Sequence, residues 1–317
     1  MPKISVISPL FNSEKYISRF LNNIQYQNFY NIELILIDDN SIDNVKKIIK
    51  EYQKEDERII LLQNHKNKGT FICRNLGVLF SKRKYIIISD PDDIISRNIL
   101  NICYNYAEKK DYKIIRFNRY IGKDRVIFND IYIKNEKRPV YQPELSTYIA
   151  YENNQLRIID FYITNKIIKK EIYIRALKSL NSYYLNIYIT FSEDSMMNFI
   201  LYKMAKSFCF IKNIGYYHIK NSMSITNNLF KNTLLRIKFS FIVIKLFFDY
   251  SKKIKKDKDI SQYFFTKINK MFNIPNKLST INKDFKFYLN FVNKLISVEN
   301  KKILETYKII INKYQNY

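Results

Sequence analysis

The sequence predicts an α/β fold, with a mainly parallel central sheet over about residues 1–225 and a helical, basic annex over 226–317. Two observations carry this prediction. In the first 120 residues, short β-branched runs alternate with stretches of helical periodicity, the pattern of strands buried on both faces by helices. From about residue 230 the chain turns basic, aromatic and helical in pattern, and about half of its formal net charge of +25 falls there.

The elements follow in order. Ile4–Pro9 reads as a buried strand. Ser13 can cap a helix that places Tyr16, Ile17, Phe20, Leu21 and Ile24 on one face. Ile32–Ile37 is a second strand. Ser41 can cap the next helix, with Val45, Ile48, Ile49 and Tyr52 on one side. Ile59–Leu62 is a third strand, and Thr70 opens a helix carrying Phe71, Leu76, Leu79 and Phe80. Tyr85–Ser89 and Ile114–Phe117 are the fourth and fifth strands. The middle of the chain is less regular, with a helical segment over Glu193–Met204 and a strand-like one over Ser207–Ile219. Leu234–Phe248 is apolar nearly all round, with Arg236, Lys238 and Lys245 interspersed and the run SKKIKKDKD after it. No internal repeat and no Gly/Ser linker is found.

Composition narrows the function classes. Of 317 residues, 47% are hydrophobic and 26% charged, so a packed core is expected and wholesale disorder is not. The four glycines, Gly69, Gly77, Gly122 and Gly215, form neither a G-x-G-x-x-G nor a G-x-x-x-x-G-K-[ST] motif, which excludes the backbone chemistry of Rossmann and P-loop phosphate binding. Cys73, Cys103 and Cys209 are far apart and odd in number, so a disulfide framework or zinc site is not expected and a reducing compartment is the simpler reading. The start, MPKISVISPL, reads as a strand rather than a leader. No run reaches the roughly 18 uncharged apolar residues of a membrane span. The positive charge has two readings. One is coding bias toward Lys, Asn, Ile and Tyr; the other is an anionic partner.

Ligands of parallel sheets bind beyond the carboxyl ends of the strands, so the residues there matter most. They are Pro9, Phe11, Asn12 and Glu14 after the first strand, and Asp38, Asp39, Asn40 and Ser41 after the second. Gly69, Arg74 and Asn75 follow the third, and Asp90-Pro91-Asp92-Asp93 the fourth. Three carboxylates within four residues repel one another unless a divalent cation neutralises them, and oxygen donors at that density suit Mg²⁺ or Mn²⁺. The competing reading is an acidic helix start capped by Asp92 or Asp93.

The segments ISVISPLFNSEKYISRFLNNIQYQNFYNIELILIDDNSIDN, NKGTFICRNLG and YIIISDPDDII, in that order and at that spacing, resemble the family 2 glycosyltransferases, whose nucleotide-sugar-binding fold is called GT-A. The resemblance covers about residues 3–105. A weaker continuation lies in SEDSMMNFIL (192–201) and GYYHIKNSMS (215–224). It implies a 1–225 catalytic domain, with a nucleotide-binding half over 1–120 and an acceptor half over 121–225. Pro9 and Phe11 would shape the nucleotide pocket, with Asn12 and Glu14 at its rim. Asp39 would accept a hydrogen bond from uracil, and Asp38 would orient backbone in its turn. Arg74 would approach ribose or diphosphate, while Gly69 would allow close backbone approach. Its competing reading is a salt bridge on an exposed helix face. Asp90 and Asp92 match the family's D-x-D acids. Asp92 would ligate the metal, Asp90 would hold ribose or a metal-bound water, and Asp93 would stand behind them or cap a helix. His218 would complete the metal site or meet diphosphate, with Lys220 as the alternative, against the plain reading of a packed or surface histidine. Asp194 would be the base of an inverting transfer, with Glu193 as alternate, against the reading of acids at a helix start. His65 reads as a solvated loop residue.

The resemblance thus implies a metal-dependent transferase that uses Mn²⁺ or Mg²⁺. It would move a single sugar from a nucleotide sugar, UDP-linked by preference, to a glycan or lipid-linked acceptor. Asn40 stands where the family often has Gly, Cys73 where it often has Ala, and Pro91 where a small residue is common. These departures bear on turn shape rather than charge. Residues 234–258 would rest on an anionic membrane, the alternative being an annex packed on the catalytic domain. The expected location is cytoplasmic, with peripheral membrane attachment through that segment. A nucleic-acid partner is not expected, because carboxylates cluster where phosphates would dock. An inactive scaffold is the other alternative, disfavoured by the presence of Asp39, Asp90, Asp92 and Asp194.

Overall fold

A computed structural model of the chain describes residues 3–122, 149–152, 155–158, 162–180, 187–190, 193–205 and 207–219, with residue 242. The 226–317 annex, the 234–258 membrane segment and Lys220 lie outside the described residues, apart from that single position.

Five strands and four helices build the first 110 residues: β1 (Ile4–Leu10), α1 (Glu14–Gln25), β2 (Ile32–Asp38), α2 (Val45–Glu55), β3 (Ile59–Gln63), α3 (Thr70–Phe80), β4 (Tyr85–Ile88), β5 (Ile94–Ile95) and α4 (Ile99–Lys110). There follow β6 (Ile114–Gly122), the hairpin of β7 (Ile149–Glu152) and β8 (Gln155–Ile158), β9 (Lys166–Lys169), α5 (Lys170–Ser179), α6 (Glu193–Ala205) and β10 (Phe208–Ile219). The large sheet has the order β3-β2-β1-β4-β9-β6-β10-β5. Strands β1, β2, β3 and β4 pair in parallel, as do β6 and β10. Strand β9 runs antiparallel between β4 and β6, and the short β5 antiparallel to β10.

Strands β1, β2 and β4 are buried at every position, which is why they read as continuous apolar runs rather than as alternating ones. Val6, Leu34, Leu36 and Phe20 belong to the large core under α1, α2 and α4. Ile7 and Ile37 point to the other face, where α3 lies on β1 and β2 and α5 packs against α3 and α6. Gly77 makes that approach close: a Cβ there would stand 2.4 Å from Ile7 Cγ2 and 2.8 Å from Ile37 Cδ1.

Two helix starts differ from the sequence expectation. Helix α2 begins at Val45, not just after Ser41, because the Ser41 hydroxyl accepts the Asn12 N–H and the Ser41 N–H donates to Asp38. Ser13 precedes α1, but its hydroxyl donates to the Phe11 carbonyl and caps nothing. The three cysteines are buried and free.

Candidate active site

The loops after β1 and β2 are bound to each other at the carboxyl edge of the sheet. Asn12 takes a left-handed φ of 48° and its Oδ1 accepts the Ile42 N–H at 3.1 Å. The Glu14 carboxylate accepts the N–H and Nδ2 of Asn44 at 3.0 Å each, and these bonds hold its pKa below the usual value. In return the Glu14 N–H donates to Asp43 at 2.8 Å. Each helix N-terminus is thus capped from the other loop, and the two rim residues are structural ties as well. Pro9 is buried in β1, whereas Phe11 is 44% exposed at the rim. Asn40 has φ of 65°, which explains a glycine preference at this place, since Asn tolerates the left-handed region that most side chains avoid.

Asp39 is buried and accepts three hydrogen bonds, from Asn64 Nδ2 at 2.8 Å, Lys68 N at 2.9 Å and Gly69 N at 2.8 Å. It holds the loop that leads into α3. Gly69 sits there at φ of 87°, and a Cβ would meet the Tyr188 ring at 3.0 Å. Asp38 orients its own turn through the Ser41 N–H, as expected. His65 is exposed in the same loop.

Arg74 projects from α3 into a cluster of carboxylates. Its guanidinium bonds Asp90 Oδ1 at 3.0 Å, Glu193 Oε1 at 3.3 Å, and Asp194 Oδ1. It is 6% exposed, so the reading of an ion pair on an exposed helix face does not hold. Burial pushes the Glu193 carboxyl up to about 8, reinforced by Asp194, while Arg74 pulls it down. Asp194 is also raised, chiefly by burial, although a quarter of its side chain stays accessible to solvent. Asp194 has three further favourable neighbours: Arg74, the Lys166 ammonium and the Ile163 N–H.

The turn after β4 hangs from β10. The Tyr216 hydroxyl accepts the Asp90 N–H at 3.1 Å and lies within 3.4 Å of Ser89 Oγ. Asp93 is buried and accepts the Ile219 N–H at 3.0 Å, and His218 Nδ1 stands 3.2 Å from its carboxylate. That contact raises the His218 pKa, and burial raises that of Asp93. Asp93 therefore anchors β10 and His218 rather than capping a helix. Among the described residues, no group of three or more His, Cys, Asp or Glu side chains stands together as metal ligands. Asp90 is taken up by Arg74, and the Asp92 charge helps to raise the His218 pKa.

The family model described as "Glycosyl transferase family 2" matches residues 5–177. The chain belongs to that family. This transferase is 34% identical over 117 residues to "Glycosyltransferase GlyG" of Streptococcus pneumoniae, which covers 37% of the chain and 39% of that relative. It is 34% identical over 111 residues to the "GalNAc(5)-diNAcBac-PP-undecaprenol beta-1,3-glucosyltransferase" of Campylobacter jejuni, covering 34% and 36%. The chain thus spans less than half the length of these relatives. Among solved structures, S. aureus TarS 1–349 in complex with UDP shares the fold at a TM-score of 0.62 and 18% identity, over 88% of this chain and 73% of that one. The Pyrobaculum calidifontis mannosyltransferase PcManGT, in complex with GDP-Man and Mn²⁺, does so at 0.55 and 12%, over 99% and 82%. The expected GT-A fold is therefore present.

The cluster also includes residues that the sequence did not single out. Lys166 on β9 is fully buried, donates to Asn198 Oδ1 at 3.0 Å and to the Tyr162 carbonyl, and lies near Asp194. Asn198 is one helical turn after Asp194 on α6, the only hint the sequence carried. Tyr216 was visible merely as part of an aromatic strand. No helix among the described residues is long and apolar enough to cross a membrane.

Proposed function

We propose that the chain is an inverting, metal-dependent transferase that moves one sugar from a UDP-linked donor to a hydroxyl of a glycan or lipid-linked acceptor, with Asp194 as base. Residues 1–225 form its catalytic domain. Residues 226–317 form a basic annex that rests on an anionic membrane surface through 234–258, at the cytoplasmic face. One observation carries the catalytic reading: a single buried guanidinium, Arg74, joins the donor-edge acid Asp90 to the acid pair Glu193 and Asp194. Donor and acceptor chemistry would meet at that point.

The roles follow from charge. Arg74 exchanges part of its carboxylate contact for the donor diphosphate, whose oxygens it binds bidentately. Asp194, released from that contact and still held by the Ile163 N–H, takes the proton of the acceptor hydroxyl. The acceptor oxygen bonds to the anomeric carbon as the bond to the diphosphate oxygen breaks, and UDP leaves with the electron pair. Asp92 with His218 would hold Mn²⁺ or Mg²⁺, which supplies positive charge against the leaving diphosphate. Pro9, Phe11 and the Asp39-held loop would frame the base and ribose. The UDP and UDP-GlcNAc complexes of TarS support the choice of UDP, and the undecaprenol-linked substrate named for the C. jejuni relative supports a lipid-linked acceptor.

The test is calorimetric titration of UDP with and without Mn²⁺, repeated on Asp92→Ala. Metal-dependent binding that the variant loses is expected. Absence of UDP binding, with GDP and CMP also silent, would overturn the donor reading in favour of a scaffold. For the base, Asp194→Asn should lower turnover by about 10²–10⁴-fold with UDP affinity retained. A variant that keeps its turnover removes Asp194 from the chemistry.

A further inference from the structure

A second recess lies apart from the Arg74 cluster, on the outer side of α3 against α5. Its volume is about 610 Å³, within the range of small-molecule sites. Ile72, Leu76, Leu79, Ile174 and Leu177 give it an apolar wall. Leu79 is 59% exposed, so this wall is not sealed by another element of the described chain. Lys66, Lys68 and Lys178 stand around the same recess, and none of them forms an ion pair among the described residues.

The decisive residue is Asn75. It borders the recess, is only 5% exposed, and accepts the Tyr173 hydroxyl on Oδ1 at 3.1 Å. Its Nδ2 is buried and has no hydrogen-bond partner. Buried donors in folded proteins are nearly always paired, so an orphaned amide beside an open recess marks the place of an acceptor atom. A donor N–H, three ammonium groups and an apolar wall together match one ligand chemistry: an anionic, oxygen-rich head on a hydrocarbon chain.

We propose that the α3–α5 recess binds the phosphate-bearing lipid end of the acceptor, an alkyl or prenyl phosphate. The head sits among the lysines and meets Asn75 Nδ2 once that amide turns toward the recess, while the chain lies on Leu76, Leu79 and Ile174. The apolar wall lines a recess rather than a flat face, which suits a single carrier lipid better than a bilayer surface. Its place beside the donor site also fits, because Asn75 follows Arg74 on α3 and Tyr188 packs on both Gly69 and the recess. The acceptor role rests on the transferase reading above; the amphiphile binding does not.

The experiment titrates dodecyl phosphate, below its micelle concentration, into the full chain by calorimetry. Dodecyl glucoside serves as the uncharged control, and UDP with Mn²⁺ is titrated into the same samples. Saturable one-to-one binding of dodecyl phosphate is expected, at least tenfold tighter than the glucoside. Lys178→Glu, at an exposed position of α5, should weaken it tenfold or more and leave UDP affinity in place, and Asn75→Leu should weaken it as well. The Lys178 change keeps the test open even where Asn75→Leu fails to fold. Equal binding of the glucoside, indifference to charge reversal, no binding, or binding only to phosphatidylglycerol vesicles would each overturn the proposal. Dodecyl phosphate binding in a chain that ignores UDP would sustain the recess as a lipid-phosphate site and remove its role as acceptor subsite.

Discussion

Arg74 and Lys166 set two positive charges against three carboxylates, Asp90, Glu193 and Asp194. The balance closes when one carboxyl keeps its proton, and burial raises both Glu193 and Asp194 toward that state, Glu193 to about 8. This has a consequence for stability. Glu193 is raised to about 8 from the ordinary 4.5, so the folded chain holds a proton across that window which the unfolded chain has lost. Its contribution is complete below about pH 4.5 and declines as pH rises toward 8, at no more than about 1.4 kcal/mol per pH unit for a single proton. Glu193→Gln carries no titrating group and should flatten the fall in melting temperature between about pH 5 and 8. A variant whose melting profile keeps the wild-type slope would show that Glu193 is ionised in the fold. Asp39 makes a related point about legibility. Its place after β2 could be read from the sequence, but its three bonds to residues 64, 68 and 69 could not, because the loop returns to it 25 to 30 residues later.

Helices and strands were legible where their signal is local. Strands β1 to β4 and helix α3 stand where β-branched runs and apolar periodicity put them, within a residue or two. Starts that depend on a partner loop were not. Ser41 carries a good capping side chain, yet Asn12 and Asp38 consume its polar groups and α2 waits for Val45. The acidic turn Asp90–Asp93 lies after β4 as expected, but its suspension from Tyr216 and His218 on β10 joins residues 125 or more apart. Helix α3 also shows what close packing demands. Gly77 faces Ile7 and Ile37, and a methyl group there would overlap both. In an exposed helix, Gly→Ala gains about 1 kcal/mol. Here overpacking costs about 1–3 kcal/mol and works against that gain. Gly77→Ala should therefore lower the urea midpoint, by about 1–2 kcal/mol in stability. A raised midpoint would mean that α3 stands off the sheet. The same change should weaken UDP binding, since α3 carries Arg74 and begins at the Asp39-held loop.

At the scale of the whole molecule, the alternation of strand and helix signals announced a parallel α/β core but not the antiparallel β9 that separates β4 from β6. Four residues reading KIIK carry no sign of direction, and only pairing on both sides decides it. That insertion brings Lys166 near enough to Asp194 for its charge to be felt there, so an unforeseen strand supplies one of the cluster's charges. The larger charge pattern raises its own question. The chain carries a formal +25, yet Asp39, Asp90, Asp92, Asp93, Glu193 and Asp194 gather at one edge of the sheet. A nucleotide diphosphate approaching that edge is attracted by the distant lysines and repelled by the nearby acids. Distant terms are screened strongly, since the Debye length falls from about 10 Å at 0.1 M salt to about 3 Å at 1 M. Contacts through the buried Arg74 are screened much less. UDP affinity at saturating Mn²⁺ should accordingly fall several-fold between about 0.05 and 0.5 M salt and then level off, as titration at each salt concentration would reveal. An affinity that is flat throughout would mean that the lysines lie too far from the edge to matter. One that keeps falling without a plateau would mean that the diphosphate is held by exposed lysines, with Arg74 still bound to its three carboxylates.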